Sequence, residues 1–100
     1  MMTLEDVDFI EGNTTCTTEQ YYMALQRTIN AGLWSMQGSY GREMMEAISS
    51  GRCMLGRDQY RDYYGNMIPS RDDVKQGTKG SYNFVIDRCG LEWADLMLEV

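Results

Sequence analysis

Apolar side chains recur along this chain at helical intervals, in stretches set apart by glycines. Tyr21, Leu25 and Ile29 are spaced for one helix face. They follow Thr17-Thr18-Glu19-Gln20, where the Thr17 side chain can accept from the amide three residues on while Gln20 reaches back. With Gly32 placed for a left-handed C-terminal cap, the spacing predicts a helix over 18–31. Leu33, Trp34 and Met36 form a short link. Tyr40, Met44 and Ile48 then make a second stripe, with Met45 beside it and Arg42, Glu43 and Glu46 facing away. This predicts a helix from Ser39 that ends at Gly51. The adjacent methionines read as malleable core rather than as a binding groove. Toward the end, Ser81 caps a helix carrying Tyr82, Val85, Ile86 and Cys89 on one face. Gly90 divides it from a last helix beginning at Leu91, which sets Trp93, Leu96, Met97 and Val100 against a carboxylate stripe of Glu92, Asp95 and Glu99.

Residues 52–80 are less regular. Cys53-Met54-Leu55 is an apolar run too short to assign by period. Arg57 to Tyr64 has Tyr60, Tyr63 and Tyr64 at helical offsets and predicts two helical turns broken at Gly65-Asn66. Ile68, preceding Pro69, is driven to extended backbone. Ser70-Arg71-Asp72-Asp73 resembles an N-cap opening one short turn of helix that stops at Gly77. The pattern predicts a single domain over residues 1–100, all-α or mainly α, built as a bundle of four to five short helices. A small β-hairpin pairing residues 3–10 with 53–55 is the alternative.

Composition adds exclusions. The chain has 100 residues, 43% hydrophobic and 24% charged, a size and balance that fit one folded core. It has no histidine, which removes the usual general base, the serine and cysteine triads and every His-containing zinc site. Cys16, Cys53 and Cys89 lack the C-x-x-C spacing and read as reduced thiols. The acidic opening from Met1 to Gly12 has no basic-then-apolar order, and no apolar run approaches the ~20 residues of a membrane span. A cytoplasmic protein is the expectation. The net charge of −6 disfavours binding to DNA or anionic membrane and favours basic partners. Its distribution is uneven: residues 52–79 carry six bases against four acids, so a basic, tyrosine-rich middle lies between acidic ends.

Several motifs carry residue types suited to chemistry. Gly77-Thr78-Lys79-Gly80-Ser81 places a lysine and hydroxyls among glycines before a helix, which can hold an anion. It lacks the G-x-x-x-x-G-K-[ST] order and leading strand of a phosphate loop, and an ordinary capped loop explains it. Asp58 with Asp62, and Asp95 with Glu99, are four apart and would share helix faces, a start for a magnesium or calcium site. Neither sits in a calcium-loop pattern, and Arg57 and Arg61 flank the first pair. A solvated, ion-paired face is the simpler reading. We therefore expect no catalytic residues, no metal and no cofactor. Arg57, Arg61, Tyr63, Tyr64, Asn66 and Arg71 form an arginine–tyrosine segment suited to a protein interface, or to stacking single-stranded nucleic acid. The plain reading packs these tyrosines on the core.

The stretches Tyr40-Gly41-Arg42-Glu43-Met44-Met45-Glu46-Ala47-Ile48, Arg61-Asp62-Tyr63-Tyr64-Gly65-Asn66-Met67-Ile68-Pro69-Ser70-Arg71 and Gly77-Thr78-Lys79-Gly80-Ser81 resemble small bacteriophage accessory proteins, about forty residues in the middle of the chain. The resemblance implies an inhibitor of host defence, anti-CRISPR proteins included, that binds a nucleic-acid-handling host complex and blocks it. On that expectation Glu92, Asp95 and Glu99, with Glu5, Asp6, Asp8 and Glu11, meet a basic DNA-binding groove as an acidic DNA mimic. The arginine–tyrosine segment anchors the contact. The partner is then a host protein complex, with neither direct nucleic-acid contact nor a membrane. A rival class is a small nucleic-acid- or ligand-binding module using Arg57, Arg61, Arg71, Lys75, Lys79, Tyr63 and Tyr64. A third is a phage structural or assembly protein.

Overall fold

In the computed structural model, which describes residues 2–36 and 38–100, Thr17 Oγ1 accepts from the Gln20 amide at 3.0 Å and Gln20 Oε1 from the Thr17 amide at 2.9 Å. This capping box opens a helix at Thr18–Asn30, and Gly32 beyond it takes a φ of +73°. Ser81 Oγ likewise accepts from the Phe84 amide at the start of a helix over Tyr82–Cys89. In chain order the elements are α1 (Leu4–Glu11), α2 (Thr18–Asn30), α3 (Gly38–Ser49), β1 (Tyr60–Arg61), β2 (Met67–Ile68), α4 (Tyr82–Cys89) and α5 (Leu91–Glu99). The architecture is a mainly α bundle with a two-stranded antiparallel pair, β1 and β2, in which Tyr60 faces Ile68 and Arg61 faces Met67. α2 is the centre, packing against α1, α3 and α5, while α4 packs on α5. The molecule is a slab of 35 × 33 × 19 Å. No described helix is long and apolar enough to cross a membrane.

Four sequence expectations are corrected. Residues 3–10 do not pair with 53–55 as a hairpin. They form α1, capped by a Thr3–Asp6 box in which the Thr3 hydroxyl accepts at 3.1 Å and Asp6 returns the bond at 3.0 Å. Residues 57–64 are not helical, because Asp62 Oδ1 accepts from the amides of Tyr64 and Asn66 at 2.9 and 2.8 Å and folds the chain back. Gly65 completes that reversal at a φ of +83°. Residues 71–73 make a turn rather than a helix, with the Ser70 amide donating to Asp73 Oδ2 at 2.9 Å. Element by element, Phe84 rather than Cys89 lies buried on α4.

The core gathers Leu25, Ile29, Met44, Ile48, Met54, Val85 and Met97. Buried among them is a polar network that holds the irregular segment 53–56 to α2. Gln26 clamps both backbone groups of Met54: its Nε2 donates to the Met54 carbonyl and its Oε1 accepts from the Met54 amide, each at 2.9 Å. Arg71 Nε donates to the Leu55 carbonyl at 2.8 Å and its Nη2 to Asn30 Oδ1 at 3.1 Å. Asn30 Nδ2 in turn donates to the Val100 carbonyl at 2.8 Å. A buried loop has no ladder to satisfy its peptide groups, so side chains supply the partners. Across the molecule, Arg27 holds Asp6 by an ion pair at 2.7 Å and ties α1 to α2. Burial opposes ionisation of Asp6, but hydrogen bonds from Arg27 and Thr3 and the Arg27 charge outweigh it and hold the pKa below the ordinary aspartate value.

Candidate functional site

The reversal between β1 and β2 satisfies its own backbone. The Asp62 amide donates to the Asn66 carbonyl at 2.9 Å, the Gly65 amide to the Asp62 carbonyl at 3.1 Å, and Arg61 Nη1 to the Gly65 carbonyl at 2.9 Å. With its peptide groups met locally, the tip has no need of its large side chains for stability. Tyr63 and Tyr64 point outward, 72% and 83% exposed, and pack edge to face on each other with centroids 5.3 Å apart. Tyr60, at the base of the hairpin, behaves otherwise. Its ring lies where a Cβ on Gly32 would come within 2.2 Å, which pins the hairpin to the end of α2.

Beside the tip lies an open groove of about 370 Å³ between the hairpin and the first turns of α3. Trp34, Met36, Met45 and Ile68 give it an apolar floor, Tyr63 and Tyr64 a wall, and Arg42 a charged rim. Met45 and Met67 are both large exposed apolar side chains. Surface aromatics and methionine around a groove, rimmed by charge, are the composition of a protein-contact patch. Of the residues expected from the sequence, Tyr63 and Tyr64 line this groove, Arg61 and Asn66 belong to the adjoining hairpin without lining it, and Trp34, Met36, Arg42 and Met45 were missed. The available signal was Met45 itself, which falls off the stripe that Tyr40, Met44 and Ile48 bury.

The remaining expected site residues disperse. Arg71 is a structural residue, 8% exposed and committed to Leu55 and Asn30. Burial lowers its pKa, as does nearby Arg57, against the opposing pull of Asp72. Arg57 reaches away from the tip and donates to the Leu98 carbonyl at 3.3 Å, at the C-terminal end of α5 where a cation suits the helix dipole. Glu92, Asp95 and Glu99 are all exposed on α5, as their spacing requires, but Asp95 accepts from the Tyr82 hydroxyl. On α1, Glu5, Asp8 and Glu11 are exposed, whereas Asp6 is buried against Arg27 and presents nothing to a partner. The amides of Gly77, Thr78 and Ser81 donate within the 77–81 loop or to Lys75, and the Ser81 hydroxyl is buried and engaged. Those three amides and the Ser81 hydroxyl therefore bond within the loop and its flank.

Asp58 and Asp62 do not share a helix face, since one precedes β1 and the other makes the turn after it. Among the described residues no group of three or more acids or thiols is placed to hold a metal ion. All three cysteines are free, and burial pushes the Cys53 thiol well above its ordinary pKa, which leaves it unreactive. No protein-family model, curated protein or solved structure matches this chain.

Proposed function

We propose that this chain is a non-catalytic binding protein that docks on a nucleic-acid-handling protein complex and blocks it, the role its resemblance to phage inhibitors of host defence implies. The observation that carries the reading is the outward pair Tyr63 and Tyr64 at a self-satisfied turn, next to a groove floored by Trp34, Met36, Met45 and Ile68. Tyrosine, with two side-chain torsions, loses little entropy on contact and is among the residue types that dominate interface energies. The net charge of −6 and the exposed Glu92 and Glu99 steer the approach to a basic surface. Anchoring leads and charge assists in this reading, because Tyr82 engages Asp95 and Asp6 is buried.

The rival nucleic-acid module draws less support. Its arginines point apart: Arg71 is buried, Arg57 sits at the end of α5 and Arg61 braces its own turn. The test is to express the tagged chain, and its Tyr63→Ala/Tyr64→Ala variant, in a bacterial host with active restriction and CRISPR systems. The expected result is a nucleic-acid-handling complex recovered with the parent chain, inhibited by it in a DNA-binding assay, and not recovered with the variant. Nucleic acid alone, or equal recovery by both chains, overturns the proposal.

A further inference from the structure

A second cleft lies on the opposite flank of α3 from the hairpin groove. It measures about 120 Å³ and is lined by Tyr21, Tyr22 and Leu25 of α2 and by Glu43, Glu46 and Ala47 of α3. Two phenol rings and an apolar floor border two carboxylates, a chemistry that draws a cation to the ring faces and the carboxylates and repels an anion. The Tyr22 ring already shows that preference. The Arg52 guanidinium lies 5.3 Å from the centre of the Tyr22 ring, and Arg52 is not among the residues that line the cleft. Tyr21 and Tyr22 are fixed edge to face at 5.0 Å, and Trp93 abuts Tyr22 at 6.0 Å, so the aromatic walls are set in advance.

Neither glutamate forms an ion pair: the one ion pair among the described residues is that of Arg27 with Asp6. Burial and the neighbouring Glu46 push the Glu43 pKa up, against smaller opposing pulls from the Tyr21 hydroxyl and Arg42. An incoming positive charge would relieve that strain. At roughly 30 Å³ of liquid per water, the cleft has room for about four waters, space enough for a planar guanidinium head.

We propose that the Tyr21–Tyr22–Glu43–Glu46 cleft is a receptor for an arginine side chain of a partner protein, its guanidinium set against the tyrosine walls and paired with the two glutamates. Planar, weakly hydrated and rich in donors, guanidinium fits this arrangement better than the compact ammonium of lysine. The two clefts flank α3, with Gly41, Arg42 and Met45 on the hairpin side and Glu43, Glu46 and Ala47 on this one. A protein lying across α3 would meet both. The identity of a protein as the natural occupant rests on the binding role proposed above; the cleft's preference for guanidinium does not.

The experiment therefore uses a small probe. The isotope-labelled chain is titrated with N-acetyl-arginine N-methylamide, and separately with the norleucine analogue, while amide and tyrosine ring signals are followed by NMR. The expected result is saturable shifts confined to α2 and α3 around Tyr21, Tyr22, Glu43 and Glu46, seen with arginine and not with norleucine. Glu43→Gln/Glu46→Gln should reduce them at least tenfold in affinity while leaving the spectrum of Trp93 unchanged and without lowering the thermal midpoint. The proposal is overturned if shifts do not saturate, survive in the double variant, or spread equally to the Glu92–Glu99 face of α5 as general charge attraction would. Because the probe needs no partner, failure here leaves the hairpin reading standing, and failure of the partner capture leaves this one standing.

Discussion

Arg71 and Arg61 come from the same basic, tyrosine-rich stretch and end in opposite surroundings. Arg71 lies buried and serves backbone and side-chain acceptors at Leu55 and Asn30; Arg61 lies exposed and braces only the Gly65 carbonyl in its own turn. The difference follows from how each segment meets its peptide hydrogen bonds. Segment 53–56 is irregular and buried, so it borrows donors and acceptors from Gln26 and Arg71. Segment 62–66 folds on the Asp62 carboxylate and borrows a side chain only from its neighbour Arg61. Where backbone groups are met locally, side chains are free for another task.

The contrast can be broken most severely from the buried side. Arg71→Ala removes two hydrogen bonds from a charged donor and opens a void, and should lower unfolding free energy by roughly 3–4 kcal/mol in urea titration. Arg61→Ala should stay within about 0.5 kcal/mol of the parent. Comparable losses at the two positions would erase the distinction. Asp6→Ala leaves Arg27 without its buried partner, and should cost about 3 kcal/mol, the low end for such pairs because Arg27 is partly exposed.

Gly32→Ala is the next perturbation. A side chain at a φ of +73° costs about 1–2 kcal/mol, and the added Cβ must also displace the Tyr60 ring. The steric share should return in the Gly32→Ala/Tyr60→Ala double variant, so a double-mutant cycle with no coupling would show that Tyr60 does not pin the hairpin there. Smaller effects follow from titration. The Asp6 pKa is depressed on folding, so its contribution is complete above the unfolded value of about 4 and is lost as pH falls through the folded value. Asp6→Asn should flatten that acid limb. On the alkaline side Tyr21 and Tyr40 are raised to about 12, chiefly by burial, so stability should decline between pH 10 and 12 as the unfolded chain ionises first. Chemical denaturation across pH checks both limbs.

Much of the helical frame was legible because its signals are local. The Thr17–Gln20 box, the Ser81 cap, Gly32 and the Tyr40–Met44–Ile48 stripe each lie within a few residues of the structure they specify. α1 was missed because its box closes with Asp6 where Glu or Gln is the usual signature. Residues 57–64 misled because the tyrosine offsets mimic a helix face while Asp62 and Gly65 select a turn. The Gln26–Met54 and Asn30–Arg71 contacts join residues 28 and 41 positions apart, and no periodicity reports on such pairs. For the same reason Arg71 read as a contact residue, and the groove beside Tyr63 and Tyr64 stayed hidden until α3 and the hairpin were brought together.

The central claim is that the hairpin tip binds and the buried network supports. The most direct test is the affinity of Tyr63→Ala/Tyr64→Ala for the captured complex, measured beside its urea midpoint. The account predicts a loss of at least about a hundredfold, as for two interface anchors, with the midpoint unchanged. An affinity equal to that of the parent chain would contradict it.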